Sequence, residues 1–234
     1  MIYLKEVDST NTYIKDHVNE LDSFEWVFTD TQTQGKGRTG HTWISEPKKN
    51  AAFSLLIKDK DIINKFNQIS ILTGLVVAEY LEMLGIENVT LKWPNDVYVN
   101  GLKICGILLE GKLPDYVIIG IGVNVNQKSF GGLSATSIYN EMGTRLDTKL
   151  VASDIVDYLI MKLKNMTENL DKQDIEEFIN KDYLAGSTVS FSYNGETKEG
   201  QALGINEDGS YKIKIDNKVL SINSSEINTI RKSN

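Results

Sequence analysis

A glycine-rich, basic segment at residues 29–43 is the part of the sequence best suited to binding an anion. Its glycines at positions 35, 37 and 40 alternate with Lys36 and Arg38, and Trp43 ends the segment. Glycine lets main-chain N–H groups approach a ligand closely, and cations among such amides favour a carboxylate or a phosphate. Trp43 adds a flat apolar face for a ring. The alternative is a solvated loop between two strands, because glycine-rich patterns also occur without a ligand.

Three further polar segments could act with this loop, although each also has an ordinary structural explanation. Residues 9–11 (Ser-Thr-Asn) precede a helical pattern and could simply cap the helix. Residues 92–96 (Lys-Trp-Pro-Asn-Asp) bend a strand at a proline, and Lys103 follows the hairpin turn Asn-Gly. Residues 120–124 (Gly-Ile-Gly-Val-Asn) end another strand. Their joint occurrence in this order favours one common site over four unrelated features.

The stretches between these segments predict an α+β fold, with a mixed β-sheet packed against helices. Strands are predicted at residues 1–7, 24–29, 51–57, on both sides of the turn at 100–101, and at 116–125. Helical spacing is predicted at residues 10–21, 62–84 and 148–180. Two buried strands therefore flank the glycine-rich loop and would hold its ends in place.

The pattern changes near residue 181 to short strands with tight turns. Four strands are predicted at residues 187–193, 201–205, 211–215 and 218–222, and a fifth is compatible with the remaining length. This spacing is typical of a small SH3-like β-barrel. We therefore predict a first domain over residues 1–181 and an SH3-like domain over residues 182–234.

The composition excludes several classes of function. A net charge of −7 argues against broad binding to nucleic acid or to anionic membranes, because both rest on basic surfaces. Cys105 is the only cysteine, and the two histidines are too few for a histidine metal cluster. The sequence has neither an apolar run of membrane-spanning length nor a signal-peptide pattern, which predicts a cytoplasmic protein.

Taken in order, the motifs resemble those of the biotin–protein ligases. The family pattern is Ser-Thr-Asn, Asp-x-Gln-x-x-Gly-Arg-Gly-Arg-x-Gly-x-x-Trp, Lys-Trp-Pro-Asn-Asp, Lys-x-x-Gly-Ile-Leu-x-Glu and Gly-x-Gly-x-Asn. This sequence matches it at residues 9–11, 30–43, 92–96, 103–110 and 120–124. The loop departs from the family at Lys36, Thr39 and His41, where arginine is common. A smaller loop charge predicts a larger part for backbone amides in holding the ligand.

The resemblance implies a two-step ligase reaction. Biotin's carboxylate attacks the α-phosphate of ATP, which gives biotinyl-adenylate and pyrophosphate, and a lysine of a biotin carboxyl carrier domain, such as that of acetyl-CoA carboxylase, then takes the biotinyl group. It implies the catalytic residues Lys103, Arg38 and Asp96. It implies the biotin-binding residues Ser9, Thr10, Asn11, Gln32, Lys36, Gly37, Arg38, Lys103 and Gly106. It implies ATP-binding residues Trp43, Lys92, Asn95, Asp96 and Asn124, with Mg²⁺ held mainly by phosphates near Asp96.

Two other functions fit the same residues. One is a lipoate or octanoate ligase or transferase on a related fold, although Lys-Trp-Pro-Asn-Asp favours biotin. The other is a biotin-binding protein without catalysis. The sequence begins almost at the first motif, so we expect no DNA-binding module and no repressor role. A homodimer is compatible with the resemblance. The loop at residues 29–43 is expected to be disordered or displaced when the site is empty.

Overall fold

A seven-stranded mixed sheet forms the centre of the first part of the chain. The computed structural model describes residues 1–166 and 169–233. The strands of this sheet are β1 (Ile2–Leu4), β2 (Trp26–Thr29), β3 (Asn50–Ile57), β4 (Val89–Lys92), β5 (Asp96–Val99), β6 (Leu102–Lys112) and β7 (Tyr116–Asn124). Their order is β1-β2-β3-β7-β6-β5-β4. β1 runs parallel to β2, and all other neighbours are antiparallel. The α+β prediction is therefore confirmed.

Helices cover both faces of this sheet. They are α1 (Thr10–Asp16), α2 (Lys60–Ile63), α3 (Phe66–Met83), α4 (Ile138–Met142), α5 (Thr148–Lys164) and α6 (Lys172–Lys181). The helix predicted at residues 62–84 is two helices, since α2 ends at Ile63 and α3 begins at Phe66. The pattern at residues 148–180 also forms two helices. No helix within the described residues is both long and apolar enough to span a membrane.

The two faces of the sheet have very different contents. Phe53, Leu55 and Ile57 of β3 join the larger core, which includes residues of α3 and α5. Leu56 of β3 points to the opposite face, where it packs with Ile14 of α1, because successive side chains of a strand alternate between faces. That second face contains few large side chains, and α1 covers only part of it.

The second sheet contains five antiparallel strands. They are β8 (Thr188–Tyr193), β9 (Glu196–Ile205), β10 (Tyr211–Ile215), β11 (Lys218–Ile222) and β12 (Ile227–Lys232), in the order β11-β10-β9-β8-β12. β9 begins five residues before its predicted start, and β12 is not among the predicted ranges. A register shift between Ile227 and Ile230 disturbs β12, so its buried residues do not alternate with a period of two.

The predicted boundary at residues 181–182 lies inside a continuous core. Asp182 is buried, and its carboxylate accepts a hydrogen bond of 2.6 Å from the hydroxyl of Tyr211. The same residue forms a β-bridge with Leu91, and the indole of Trp93 donates to the carbonyl of Gly209 at 3.2 Å. The division into two domains stays a prediction, and the second sheet packs against the bend at residues 92–96.

A cluster of carboxylates and lysines joins α3, α5 and α6. Burial, and then the neighbouring Glu79, raise the pKa of Glu177 from 4.5 to about 7, while Lys181 and Lys162 oppose the shift. The pKa of Asp174 in the same cluster is also raised by burial. Folded chains therefore bind a proton at Glu177 in a pH range where unfolded chains have released it.

Replacing Glu177 by glutamine should stabilise the protein selectively at high pH. The stability that protonation of Glu177 contributes is fully present below pH 4.5 and is lost as the pH rises through about 7. We expect Glu177→Gln to raise Tm by about 2–4 °C at pH 8, which corresponds to roughly 1 kcal/mol in a chain of this size. At pH 5 the two proteins should differ much less. Calorimetric scans at both pH values measure this, with Glu176→Gln on the exposed side of α6 as the control.

Candidate ligand-binding site

A cavity of about 290 Å³ lies on the open face of the first sheet, beneath the glycine-rich loop. The strand register explains the open space, because Gly106 of β6 pairs with Gly122 of β7, and Gly120 lies between Leu108 and Ser54. The glycine-rich loop, the bend at residues 92–96 and the start of α1 surround this space. This volume is close to the lower limit for small-molecule sites, about 300 Å³.

Nearly all residues predicted for the site line this cavity. They are Ser9, Thr10, Asn11, Gln32, Lys36, Gly37, Arg38, Trp43, Lys92, Asn95, Asp96, Lys103 and Gly106. The structure therefore brings together segments that are far apart in the sequence. Their functional roles stay predictions.

One end of the cavity is polar and is built at the start of α1. Ser9 occupies the N-cap position, but its side chain makes no capping hydrogen bond. The backbone N–H of Thr10 donates to Oε1 of Gln32 at 2.9 Å, and the hydroxyl of Thr10 lies 2.6 Å from that of Ser54. The capping alternative therefore does not account for these side chains. Their contacts are those of a hydrogen-bonding pocket.

The opposite end of the cavity contains an ion pair. Nζ of Lys103 lies 2.7 Å from Oδ1 of Asp96, and both side chains are largely buried. That oxygen makes no hydrogen bond of good geometry within the described residues, so its contact with Lys103 is one of charge. The backbone of Lys103 is also fixed, because its N–H donates to the carbonyl of Ser134 and its carbonyl accepts from the N–H of Thr136.

The segment Ala-Thr-Ser-Ile at residues 135–138, which the sequence alone does not explain, helps to fix the backbone of Lys103 through the N–H of Thr136. Ser137 also caps α4, because its hydroxyl accepts from the N–H of Asn140. Asn124 belongs to the same arrangement: its Nδ2 donates to the carbonyl of Thr136 at 3.0 Å, and its side chain is buried. Asn124 does not line the cavity. The structure places it behind Lys103, and its predicted contact with the nucleotide stays a prediction.

Trp43 lies across the two glycines in the floor of the cavity. A methyl group at Gly122 would overlap its indole ring, and one at Gly106 would approach both this ring and the side chain of Lys103. Nζ of Lys103 lies 5.7 Å from the ring centroid. The indole nitrogen is buried and has no hydrogen-bond partner in the described part of the chain. The expected disorder or displacement of the loop in an empty site stays a prediction.

Arg38 connects the glycine-rich loop to the second sheet. Its Nη2 donates to the carbonyls of Ser224 at 2.6 Å and Ile227 at 3.1 Å, and its Nη1 lies 3.5 Å from Oδ1 of Asn95. Asn95 in turn donates to the carbonyl of Ile107 at 2.8 Å. The guanidinium thus borders the cavity while it fastens the loop to the start of β12. Lys36 instead turns its Nζ outward, to the hydroxyl of Thr12 at 2.8 Å.

The charges around the cavity favour a polyanion. Burial lowers the pKa of Lys92, and the nearby Asp96 opposes this shift. The positive charges of Lys103 and Arg231 lower the same pKa further. Burial likewise lowers the pKa of Arg38. Cations that face one carboxylate at a partly buried site have the arrangement needed to hold phosphate oxygens.

A dedicated metal cage is not part of this arrangement. Within residues 1–166 and 169–233, no three histidine, cysteine or acidic side chains are placed to hold one ion. Asp96 is the carboxylate that lines the cavity. Mg²⁺ bound to phosphate oxygens needs only one or two protein carboxylates. The residues present therefore fit an ion that arrives with a nucleotide.

The sequence motifs assign no role to several residues that line or support the cavity. Ser54 is a single polar residue in an apolar strand, and that isolation is the clue that the sequence offers. Glu110 ends the Lys-x-x-Gly-Ile-Leu-x-Glu motif, and its contact with Asn11 is visible only in the fold. Residues 228–230 of β12 also line the cavity, and nothing in the sequence connects them to it.

Comparison with known proteins shows similarity to biotin and lipoate protein ligases over much of the chain. The model of the biotin/lipoate A/B protein ligase family matches residues 3–124. The bifunctional ligase/repressor BirA of Escherichia coli K12 is 30% identical over 189 residues, which is 76% of this chain and 56% of that protein. The biotin–acetyl-CoA-carboxylase ligase of Paracoccus denitrificans is 32% identical over 127 residues, 53% of this chain and 52% of that protein. The chain thus spans about half the length of these relatives.

A solved structure is similar over nearly its entire length. The biotin protein ligase of Aquifex aeolicus, in complex with biotin and ATP, superposes with a TM-score of 0.88 and is 32% identical. The match covers 99% of this chain and 98% of that one. Similarity at this coverage includes the second sheet as well as the first.

Proposed function

Since the chain belongs to the biotin/lipoate A/B protein ligase family, we propose that it activates biotin with ATP and attaches it to a carrier protein. The acceptor is a lysine of a biotin carboxyl carrier domain, such as that of acetyl-CoA carboxylase. One observation carries the proposal: a single cavity joins a polar end at Thr10 and Gln32 to a cationic end at Lys103 and Lys92. The name of a similar ligase and the ligands of a similar solved structure support it.

In the first step two anions must react with each other. A carboxylate oxygen of biotin attacks the α-phosphorus of ATP, the bond to the β-phosphate breaks, and pyrophosphate leaves. Lys103 and Arg38 offset the charge that would otherwise keep the carboxylate and the phosphate apart. Lys92 would lie on the phosphate side, and Asp96 holds the ammonium of Lys103 in place. Mg²⁺ bound to the phosphates would supply further neutralisation, with Asp96 as the nearest carboxylate.

In the second step the acceptor lysine attacks the activated carbonyl. Its neutral amine forms the amide, the bond from the carbonyl carbon to the AMP oxygen breaks, and the amine releases a proton. This chemistry needs no nucleophile from the enzyme, which agrees with the full burial of Cys105. A mixed anhydride reacts with water, so the loop that closes the cavity with Trp43 protects it.

The polar end would hold the ureido ring of biotin. Thr10 and Gln32 present polar atoms to the cavity, and Trp43 and Leu108 contribute apolar surface. A few placed polar groups within an apolar slot give orientation and specificity. We place the reaction in the cytoplasm, and the homodimer and the lack of nucleic-acid binding stay predictions.

Pyrophosphate release tests this proposal against the lipoate alternative. The protein is incubated with ATP and Mg²⁺ and with biotin, lipoate or octanoate in separate reactions. We expect release that depends on biotin and exceeds that with either fatty acid by at least about a hundredfold, because a site built for polar groups rejects ligands that leave them unpaired. Release with lipoate alone would refute the assignment. Tight biotin binding without release would support a binding protein instead.

A further inference from the structure

Two polar residues behind the cavity belong to a hydrogen-bonded chain that ends at Thr10. Ser54 of β3 is fully buried, and Glu110 of β6 lies on the far side of Asn11. Neither side chain lines the cavity. Asn11 connects them, and it packs so tightly on β7 that a methyl group at Gly120 would overlap its amide. Ser54 and Asn11 are both buried, so the centre of this series of hydrogen bonds has little freedom to rearrange.

Glu110 fixes the orientation of the Asn11 amide. The Asn11 Nδ2 atom lies 2.8 Å from Oε2 of Glu110 and 3.5 Å from the carbonyl of Leu108. A carboxylate and a carbonyl can only accept, so the amide nitrogen has to face them. The amide oxygen therefore faces the other way, toward Ser54.

The orientation of the Asn11 amide determines which group donates in each hydrogen bond from Asn11 through Ser54 to Thr10. The hydroxyl of Ser54 lies 2.6 Å from Oδ1 of Asn11 and must donate its one hydrogen to it. Ser54 can then only accept from Thr10, whose hydroxyl is 2.6 Å away. Thr10 has one hydroxyl hydrogen, which this bond uses, so its 3.1 Å contact with Gln32 does not receive that hydrogen. Gln32 Oε1 still accepts the N–H of Thr10.

We infer that Glu110 and Ser54 are positioning residues that determine which atoms the polar end offers as donors and which as acceptors. The oxygen of Thr10 is left as an acceptor, and Gln32, whose oxygen faces Thr10, offers its amide nitrogen as a donor. The inference rests on the proposed function, because a ureido ring carries N–H donors and a carbonyl acceptor that this pattern matches. With the opposite direction, Ser54 would donate to the oxygen of Thr10 and occupy one of the lone pairs that a ligand N–H needs, while the hydrogen of Thr10 would point to Oε1 of Gln32.

Glu110→Gln removes the fixed polarity with little change in shape. Glutamine both donates and accepts, so the Asn11 amide can adopt either orientation. We expect KM for biotin in pyrophosphate release to rise about tenfold to a hundredfold, the usual effect of an unpaired buried polar group. KM for ATP should stay within about threefold, because the phosphate side has no contact with this chain of bonds. Ser54→Ala removes the partner that fixes the Thr10 hydroxyl and leaves Oδ1 of Asn11 without its donor, so it should give the same selective change.

A double variant separates direction from packing. Asn11→Asp alone sets two carboxylates against each other and should also raise KM for biotin at least tenfold. In Asn11→Asp combined with Glu110→Gln, glutamine donates to one carboxylate oxygen and Ser54 donates to the other, so the direction at Thr10 is restored. We expect this double variant to recover KM for biotin to within about fivefold of the wild-type value. Such recovery would show that positions 11 and 110 are energetically coupled, because the effects of two independent packing defects would add.

The controls separate this inference from the proposed function. Glu87→Gln makes the same chemical change at an exposed position and should alter neither KM value. Thermal melts identify any variant that is unfolded. If Glu110→Gln does not fold, the KM of Ser54→Ala for biotin tests the inference in its place. Effects of the single variants that simply add in the double variant, or wild-type KM values in Glu110→Gln and Ser54→Ala, would overturn the inference. Wild-type protein that releases no pyrophosphate with biotin would instead refute the proposed function.

Discussion

Replacing Lys103 by methionine should lower kcat/KM for biotin-dependent pyrophosphate release by about a thousandfold while the protein stays folded. Loss of one preorganised group that stabilises developing charge costs about 10²- to 10³-fold. The substitution also leaves Asp96 as an uncompensated carboxylate beside the phosphates, since Lys103 Nζ lies 2.7 Å from it. Steady-state kinetics measure the loss, and circular dichroism with a thermal melt reports folding.

The chain contains a well-matched control for this substitution. Lys112 and Asp115 form an ion pair of the same length, 2.7 Å, but their side chains are 75% and 53% exposed. Lys112→Met removes the same charge from a surface pair, which contributes little to stability. It should leave kcat/KM within about twofold of wild type. A Lys103→Met protein that is unfolded, or that keeps more than a tenth of the activity, would contradict the assigned role.

Replacing Arg38 by alanine should release the glycine-rich loop and the start of β12 at the same time. The guanidinium bonds to the carbonyls of Ser224 and Ile227, and such charge-assisted bonds contribute about 1.5–3 kcal/mol each. We expect kcat/KM to fall by about a hundredfold or more. Amide hydrogen exchange should become faster both in residues 35–43 and in residues 224–230, because the bonds that join them are lost.

Two comparisons make this experiment decisive. Arg38→Lys keeps the charge but cannot reach both carbonyls with one planar group, so it should restore little of the protection. Arg145→Ala removes an exposed arginine that lies over the ring of Tyr139 and should change neither region. Faster exchange confined to the loop, with β12 unchanged, would show that Arg38 does not connect the two parts of the chain.

The sequence predicts the composition of the site well because its motifs name residues whose chemistry is distinctive. Alternation and turn residues place most strands, and the glycines that pair at positions 106 and 122 mark where backbone must come close to a ring. The spacing of residues in the sequence does not predict the register between two strands. The pairing of Gly120 with Ser54 is therefore visible only in the fold. Ser54 and Glu110 escape prediction for this reason.

The sequence also does not predict that residues next to or in the second sheet hold the glycine-rich loop. The bonds of Arg38 go to main-chain carbonyls, which every residue has, so no side-chain pattern at positions 224 and 227 could indicate them. Asn124 is a further example: its place in a motif predicts a ligand contact, and the fold alone shows that its amide also holds the segment beside Lys103. A residue of a sequence motif can therefore support the site without lining the cavity.

The most direct test of the proposed function is the mass of a biotin carboxyl carrier domain after incubation with the protein, ATP, Mg²⁺ and biotin. We predict that the carrier gains one biotinyl group on one lysine, that the gain requires ATP, and that Lys103→Met abolishes it while Lys112→Met does not. A carrier that gains nothing from wild-type protein under these conditions, or that is modified only when lipoate replaces biotin, would contradict the proposal.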